Sequence, residues 1–491
     1  MIDEKSILEH ADPQALIYIE LQDILLKINA ENFESSFDCL SKLSFIRSVS
    51  NLNGLVHNFI VATHYNSQTI PLLSKLVAAL INLWKSDPEF SSIDFPAKFS
   101  SIFIEQLLHR FSFRKSFLSN ITFLYYLFVN EVFTLDFIID QLDPIFYAPF
   151  KQTRSCESES SATPLYLTCF LCFFGYHIEK ERNETFQKYL NSLSKSLAYQ
   201  CYSPEYMEFY FFKEFESLRE NDWNLWHCKL GVNSEIRHTS IFDAIRKDDV
   251  NALQKYSCAP DFDYNTRVPP TVFEPSVFLI DSSEPTYPTI LQLAAFHGSI
   301  NCFKFLKLNG SDPTLKDRKN RPLFHYIVAN GNVELTRIVE QDGQKTTEDL
   351  IQLAIEFHHF DLYQWLYEHH FQQYLSENEP QEARLQKQLP LFRSAASVDN
   401  LKVILHLLSS SMYVNSADNF GWTALHYAAE NGHFEVVQLL LKQPDIDVNA
   451  QDQKGWTPLH RATMNGHFDV VRILLSNKNV NVNRKNYSGV F

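Results

Sequence analysis

Glycine is scarce in the first half of this chain of 491 residues. Only Gly54, Gly175 and Gly231 occur in the first 240 residues, whereas the other nine of the 12 glycines follow them. No Gly-rich phosphate-binding loop is found, and the HExxH, GxSxG and protein-kinase motifs are also missing. The change in glycine usage predicts two architectures, which we assign to residues 1–238 and 239–491.

Long apolar runs are also missing. The most apolar stretch, residues 165–176, is short of the ~20 residues that a membrane-spanning helix needs. The first residues, MIDEKSILEH, lack the basic and then apolar order of a signal peptide. The eight cysteines are scattered without a disulfide framework, which favours a reducing compartment. We therefore expect a cytoplasmic protein, with the nucleus left open, that does not insert into a membrane.

Positive charge is in the minority, with 43 lysines and arginines against 58 aspartates and glutamates and a net charge of −15. Because phosphate binding needs concentrated Lys and Arg, we expect no nucleic-acid partner. Metal and cofactor signals are equally weak. Cys169 and Cys172 form a lone CxxC inside the apolar run LTCFLCFF, which favours core packing over a metal or redox site. We expect no catalytic residue, no metal and no cofactor.

A near-duplication stands at the end of the chain. GWTALHYAAENGHFEVVQLLL, residues 421–441, recurs as GWTPLHRATMNGHFDVVRILL, residues 455–475, with 14 of 21 positions identical. A fixed period of 34 residues indicates a repeat array, in which each unit buries its apolar face by stacking on its neighbours. Thr457 can cap a helix that Pro458 opens, Gly466 ends it, and the next apolar residues recur at helical spacing. The segments TALHYAA and TPLHRAT resemble the ankyrin repeat.

The register of this motif can be carried backwards to predict seven units. The predicted helix-opening positions are Thr239, Thr289, Pro322, Asp349, Pro390, Thr423 and Thr457. Nine residues later comes a turn position that favours positive φ, occupied by Asp248, Gly298, Gly331, His358, Asp399, Gly432 and Gly466. The next position is always polar and the one after it is always apolar, which predicts the start of a second helix. His358 and His359 are thus explained by register and not as part of a metal cluster with His369 and His370.

The first half predicts helices of varying length without a fixed period. Asp12 with Pro13, and Thr163 with Pro164, combine a capping residue with a favourable first helical position. We therefore predict an all-α chain: an N-terminal helical bundle or irregular α-solenoid, then an ankyrin-repeat solenoid with short β-hairpin fingers. A Ser-rich connector is expected near residues 151–163, and a Pro-rich loop insertion near residues 258–288.

A wider resemblance begins at Trp223. The order WNLWHCKLGVN, IFDAIRKDDVNALQKY, PDFDYN and LQLAAFHGSINCFKFLKLNG is similar to a family of protist ankyrin proteins with an uncharacterised helical region before the repeats. That resemblance implies a protein-binding module and names no partner.

The ankyrin resemblance implies that the hairpin tips and the outer side of each first helix face a concave groove that binds a protein. The matching positions here are Asn419, Phe420, Trp422, Glu430, Asn431, Gln453, Lys454, Trp456, Met464 and Asn465. Trp422 and Trp456 are the strongest candidates, because tryptophan is enriched at interface hot spots. They would either form an exposed aromatic strip across adjacent units or pack against their own hairpins.

Three functional hypotheses follow. The first is an interaction scaffold or adaptor that binds a partner protein through the concave face of the repeats. The second is an enzyme or regulatory subunit with its activity in the N-terminal helical domain. The third is an adaptor that docks on a membrane through its aromatic-rich helices.

Overall fold

The computed structural model describes most of the chain. The described residues are 13–48, 51–86, 95–109, 117–146, 162–198, 207–220, 223, 240–271, 286–341, 343, 347–371, 381–409 and 413–489. Within these ranges the protein is all-α, as predicted, and an isolated antiparallel bridge between Arg267 and Thr289 is the one β pairing. The predicted hairpin fingers are therefore tight turns here and not strands.

The helices of the first half, in chain order, are α1 (Pro13–Leu26), α2 (Phe33–Lys42), α3 (Leu52–Tyr65), α4 (Ile70–Ser86), α5 (Phe95–His109), α6 (Phe117–Val129), α7 (Leu135–Phe146), α8 (Ala162–Glu181), α9 (Asn183–Ala198) and α10 (Met207–Glu220). The helices of the second half are α11 (Ile241–Arg246), α12 (Val250–Ser257), α13 (Ile290–Phe296), α14 (Ile300–Leu308), α15 (Leu323–Asn330), α16 (Val333–Gln341), α17 (Glu348–Glu356), α18 (Phe360–Leu366), α19 (Gln381–Ser397), α20 (Leu401–Leu408), α21 (Ala424–Asn431), α22 (Phe434–Leu441), α23 (Pro458–Met464) and α24 (Phe468–Ser476). Short 3-10 turns lie at Ser44–Arg47 and Ser67–Thr69, and a π-helical turn at Tyr367–Phe371.

The chain divides into two compact bodies. The C-terminal body comprises the described residues of Met1–Lys27, Leu43–Phe45 and Gly331–Phe491, and the central body comprises those of Ile28–Lys42 and Ile46–Asn330. The predicted boundary between residues 238 and 239 lies outside the described residues. So does the predicted connector up to residue 161, and Thr163 at its end already belongs to α8.

In chain order, helices α11 to α24 follow one another as seven helix–turn–helix pairs whose turn position matches the prediction, although Ser240 and Thr347, not Thr239 and Asp349, occupy the N-cap of the first helix in pairs one and four. All seven residues at the predicted turn position have a left-handed backbone, with φ between 53° and 79°, including the non-glycine residues Asp248, His358 and Asp399. The predicted apolar residue begins the second helix of every pair, from Val250 in α12 to Phe468 in α24. We call the pairs repeats one to seven. Aspartate and histidine tolerate this conformation better than β-branched residues do, which explains why the faded repeats keep the turn.

The polar residue after each turn joins neighbouring repeats. Four such side chains reach back to a main-chain carbonyl of the preceding repeat: Ser299 to Ile245 (2.6 Å), Asn400 to Ile355 (2.9 Å), His433 to Ser397 (2.8 Å) and His467 to Glu430 (2.8 Å). Carbonyl groups at the end of a helix have no hydrogen-bond partner inside that helix. These bonds therefore satisfy carbonyl oxygens that stacking would otherwise bury without a donor. The uniform polarity of this position is thus a stacking requirement.

Repeat five departs from the prediction at its first helix. Pro390 was expected to open that helix, but α19 begins at Gln381 and carries Pro390 inside it. The preceding polar segment extends the helix towards its N-terminus, and the side chain of Gln388 is buried where its Nε2 donates to the Tyr367 hydroxyl (2.5 Å). A proline removes one main-chain hydrogen bond from a helix interior.

The described ends of the predicted loop insertion near residues 258–288 contain no helix. Arg267 holds the two ends together, because its guanidinium donates to the carbonyls of Tyr287 (2.9 Å) and Lys316 (2.8 Å). The bridge from Arg267 to Thr289 lies at the same place, immediately before α13.

Helices of the central body pack on sequence neighbours, as α8 does on α9, and also on the next helix but one. Contacts join α2 with α4, α3 with α5, α4 with α6, α6 with α8, and α8 with α10. This order favours an irregular α-solenoid over a closed bundle. Its core is aromatic: the ring of Tyr125 lies 5.7 Å from that of Phe173 and 5.6 Å from that of Phe174. Cys169 and Cys172 are buried in the same helix, as the core-packing interpretation predicts.

Helix α1 belongs to the C-terminal body, although it stands at the other end of the sequence. It contacts α20 and α22, the second helices of repeats five and six. Leu21 and Leu25 are fully buried, and the Gln22 side chain donates to the main-chain carbonyl and to a carboxylate oxygen of Asp399 (both 3.1 Å). Lys402 forms a 2.5 Å ion pair with Asp23. One helix from the start of the chain thus covers the second helices of two adjacent repeats.

Candidate partner-binding surface

A tight turn precedes the first helix of repeat six, at residues 418–422, and that of repeat seven, at residues 452–456. We call these turns the fingers, and an aspartate at the start of each one positions it. Asp418 Oδ1 accepts from the main-chain N–H groups of Phe420 and Trp422 (both 2.8 Å). Asp452 Oδ1 accepts in the same way from Lys454 (2.8 Å) and Trp456 (2.9 Å). Aspartate favours such turns because its short side chain replaces a main-chain acceptor. Each finger is therefore held in one conformation by its own sequence.

The second oxygen of each aspartate is bound by the following helix. The Tyr427 hydroxyl donates to Asp418 Oδ2 (2.6 Å), and Arg461 donates to Asp452 Oδ2 at the equivalent place in repeat seven. Tyr326 and Asp317 repeat the arrangement in repeat three (2.6 Å). Burial raises the pKa of the Asp418 carboxyl, but the hydrogen bonds from Tyr427 and the main chain outweigh burial and lower it overall. The carboxylates of Asp418 and Asp452 are thus ionised and already hydrogen-bonded.

The histidines of the duplicated motif are structural. His426 Nδ1 accepts from the main-chain N–H of Thr423 (3.2 Å), while Thr423 Oγ1 caps α21, so the two residues form a capping box. The Nε2 atom therefore carries the proton and donates to the Trp456 carbonyl of the next repeat (3.1 Å). Burial lowers the pKa of His426, which keeps the ring neutral. Gln292 makes the equivalent pair of bonds in repeat two.

Arg461 links the two candidate tryptophans. Its guanidinium carbon lies 4.2 Å from the ring centroid of Trp422 and 5.6 Å from that of Trp456. The cation is held there by Asp452 and by Glu430, whose Oε2 lies 3.8 Å from Arg461 Nη1. Cation–π contacts within ~6 Å are attractive, and the side chain of Arg461 is only 12% exposed. The indoles therefore form a surface with a buried arginine between them, which neither predicted alternative includes.

The predicted contact residues of repeats six and seven are all at least partly exposed. Phe420 is 68% exposed and Met464 is 59% exposed, so these two present the most apolar area to solvent. The exposed polar members are Asn419, Gln453 and Lys454, and the half-buried members are Trp422, Glu430, Asn431, Trp456 and Asn465. Gln453 Nε2 donates to the Asn419 carbonyl (2.5 Å), and Asn465 Nδ2 donates to the Glu430 carbonyl (3.2 Å). Gln453 and Asn465 of repeat seven thus also join it to repeat six.

An open groove of about 630 Å³ adjoins this surface. Its helix side is formed by Gln386, Leu389 and Arg393 of α19, and its loop side by residues 413 and 416–419. Tyr413 stands on that loop with 52% of its side chain exposed. The volume falls within the ~300–1,000 Å³ of ordinary ligand clefts. The groove therefore extends the surface of repeat six towards repeat five.

Comparison with known families identifies the repeats. Residues 391–486 match the family model of ankyrin repeats in three copies. These residues are ankyrin repeats. The match covers repeats five to seven from within α19 onwards, and ankyrin repeats generally serve as protein–protein interaction modules. No match is found among curated proteins, and none of the described helices is long and apolar enough to span a membrane.

Sequence reasoning missed Arg461 and the two aspartates of the ankyrin fingers. Asp418 and Asp452 stand at the same position, 34 residues apart, so the repeat period itself marked them as a shared structural feature. Arg461 had no such signal, because repeat six carries Tyr427 at the matching position. Only the structure reveals that Tyr427 and Arg461 play equivalent roles, because each binds the aspartate of its own finger.

Proposed function

We propose that this protein is an interaction scaffold or adaptor that binds a partner protein through the fingers of ankyrin repeats six and seven and the first helices of repeats five to seven. In ankyrin-like arrays this surface is the concave face. The observation that carries the proposal is the pairing of exposed apolar side chains, Phe420 and Met464, with a finger backbone that is fixed by Asp418 and Asp452. A fixed loop loses little conformational entropy on binding, so its exposed side chains can contribute more of their contact energy.

The arrangement at Arg461 also supports this surface. Two indoles, a tyrosine and a largely buried guanidinium are concentrated on α21, α23 and the fingers before them. Trp, Tyr and Arg are the residue types most enriched at interface hot spots. They are held by contacts within the protein, so a partner would meet a preformed patch.

The test is affinity purification from the cells that produce the protein. We compare the wild type with the double variant Phe420→Ser and Met464→Ser, which changes only exposed side chains. The matched control is Leu475→Ser with Val482→Ser, because these residues are 50% and 53% exposed elsewhere in the same repeats. We expect partners that the wild type and the control retain and the first variant loses by roughly tenfold or more. An identical set of proteins from all three would overturn the proposal.

A further inference from the structure

The groove beside repeat six offers hydrogen-bond donors from an arginine. The Arg393 guanidinium lines it, and no hydrogen bond or ion pair engages that guanidinium within the described residues. A guanidinium has five N–H donors in a planar fork that matches a carboxylate. This cation contrasts with Arg461, which is occupied by Asp452, Glu430 and two indoles.

The carboxylate in the groove, in contrast, already accepts hydrogen bonds. Asp418 is the carboxylate that lines it, and its two oxygens accept from Phe420, Trp422 and Tyr427. Arg393 helps to lower the pKa of Asp418 through space, yet the two groups form no salt bridge. Among the described lining residues, a ligand would thus find a cation without a salt bridge and a carboxylate that is already hydrogen-bonded, which favours an acidic group.

Apolar contact is available at the same place. Tyr413 is 52% exposed on the loop side, Leu389 is partly exposed on the helix side, and Phe420 lies two residues beyond Asp418. An aromatic or aliphatic side chain next to a carboxylate would contact these residues while the carboxylate reaches Arg393. Such anchors in a cleft supply most of the binding energy of short segments.

We propose that this groove binds an acidic segment of the partner protein, with one Asp or Glu carboxylate paired to Arg393 and a neighbouring apolar side chain against Tyr413 and Leu389. This inference rests on the proposed function and adds the chemistry of the partner. A carboxylate fits better than a phosphate dianion, because the negative charge of Asp418 in the same groove opposes a second charge on the ligand. The site therefore selects a single negative charge, although the protein as a whole carries −15.

The test uses a phage-displayed library of random dodecapeptides selected on the full chain. We expect the enriched peptides to carry Asp or Glu beside an aromatic or aliphatic residue. Their affinity, measured by fluorescence anisotropy, should fall roughly tenfold or more in Arg393→Gln and weaken as salt is raised. The matched control is Arg472→Gln, whose side chain is 79% exposed on α24 and should leave affinity within about twofold.

Several results would overturn the inference. They are the enrichment of no peptide, enrichment without acidic residues, equal affinity for Arg393→Gln and wild type, or tighter binding when the carboxylate is replaced by a phosphoserine. An unchanged melting temperature of Arg393→Gln shows that the variant is folded. If peptides bind independently of Arg393 but are lost in the Phe420→Ser and Met464→Ser variant, the groove inference fails and the proposed function stands.

Discussion

At the scale of single residues, the fingers are stabilised by carboxylates that accept several hydrogen bonds each. The carboxylate of Asp418 joins the finger backbone to Tyr427 of the following helix, and that of Asp452 joins it to Arg461. Burial, and after it the hydrogen bond to Asp418, raises the pKa of Tyr427 to about 12. The hydrogen bond favours the ionised aspartate and the neutral tyrosine at neutral pH, and burial adds to the preference for the neutral tyrosine.

Replacing Asp418 by asparagine should therefore destabilise the repeats. The amide keeps one acceptor but loses the charge that strengthens three hydrogen bonds. Bonds to charged groups contribute ~1.5–3 kcal/mol, so we expect the free energy of unfolding to fall by about 1–3 kcal/mol. Urea denaturation measures the change. Asp445→Asn is the control, since this exposed aspartate lies in the same repeats and should change stability by less than ~0.5 kcal/mol. An equal effect of both variants would contradict the role of Asp418.

At the scale of elements, most of the repeat register could be predicted from sequence and the position of α1 could not. The turn residues Asp248, His358 and Asp399 kept the register because few residue types tolerate a left-handed backbone. The bond from Gln22 to Asp399 spans 377 residues, and nothing local to α1 marks its partner. A turn can be predicted from the residues that form it. The packing of a distant helix cannot, because it depends on a surface that exists only after folding.

The docking of α1 gives a prediction about stability. Leu21→Ala with Leu25→Ala removes two fully buried side chains from its contact face. Each buried Leu→Ala change costs ~2–5 kcal/mol. We therefore expect faster amide hydrogen exchange in α20 and α22, far away in sequence, with little change in α8 of the central body. Glu20→Ala on the exposed face of α1 is the control. Unchanged exchange in α20 and α22 would show that α1 does not stabilise the repeats.

At the scale of the whole molecule, buried neutral histidines make the C-terminal body sensitive to acid. Burial lowers the pKa of His358 to about 4, and burial lowers that of His406 to about 4 as well. The ordinary value is 6.5, so the unfolded chain binds more protons between pH 6.5 and about 4. Stability therefore rises with pH in this window and is lost as the pH falls. The aspartates of the fingers lose their contribution only at lower pH, as they are protonated.

His358→Asn should reduce this dependence. Asparagine tolerates the left-handed backbone at this position but does not titrate. We expect the variant to be less stable at pH 7, because the 2.8 Å contact with the Val398 carbonyl is lost, but to lose less stability between pH 7 and pH 5. Thermal melting at several pH values measures both effects. His369→Asn changes an exposed histidine and should keep the wild-type slope. A slope that is unchanged in His358→Asn would contradict the assignment.

The central claim is that a partner protein contacts the fingers of ankyrin repeats six and seven. Site-specific photo-crosslinking tests it most directly, with p-benzoylphenylalanine placed at Phe420 in the living cell and, as the control, at Leu475. We predict a discrete protein adduct from position 420 that is absent from position 475 and is reduced by Arg393→Gln. No adduct at position 420, or the same adducts from both positions, would contradict the claim.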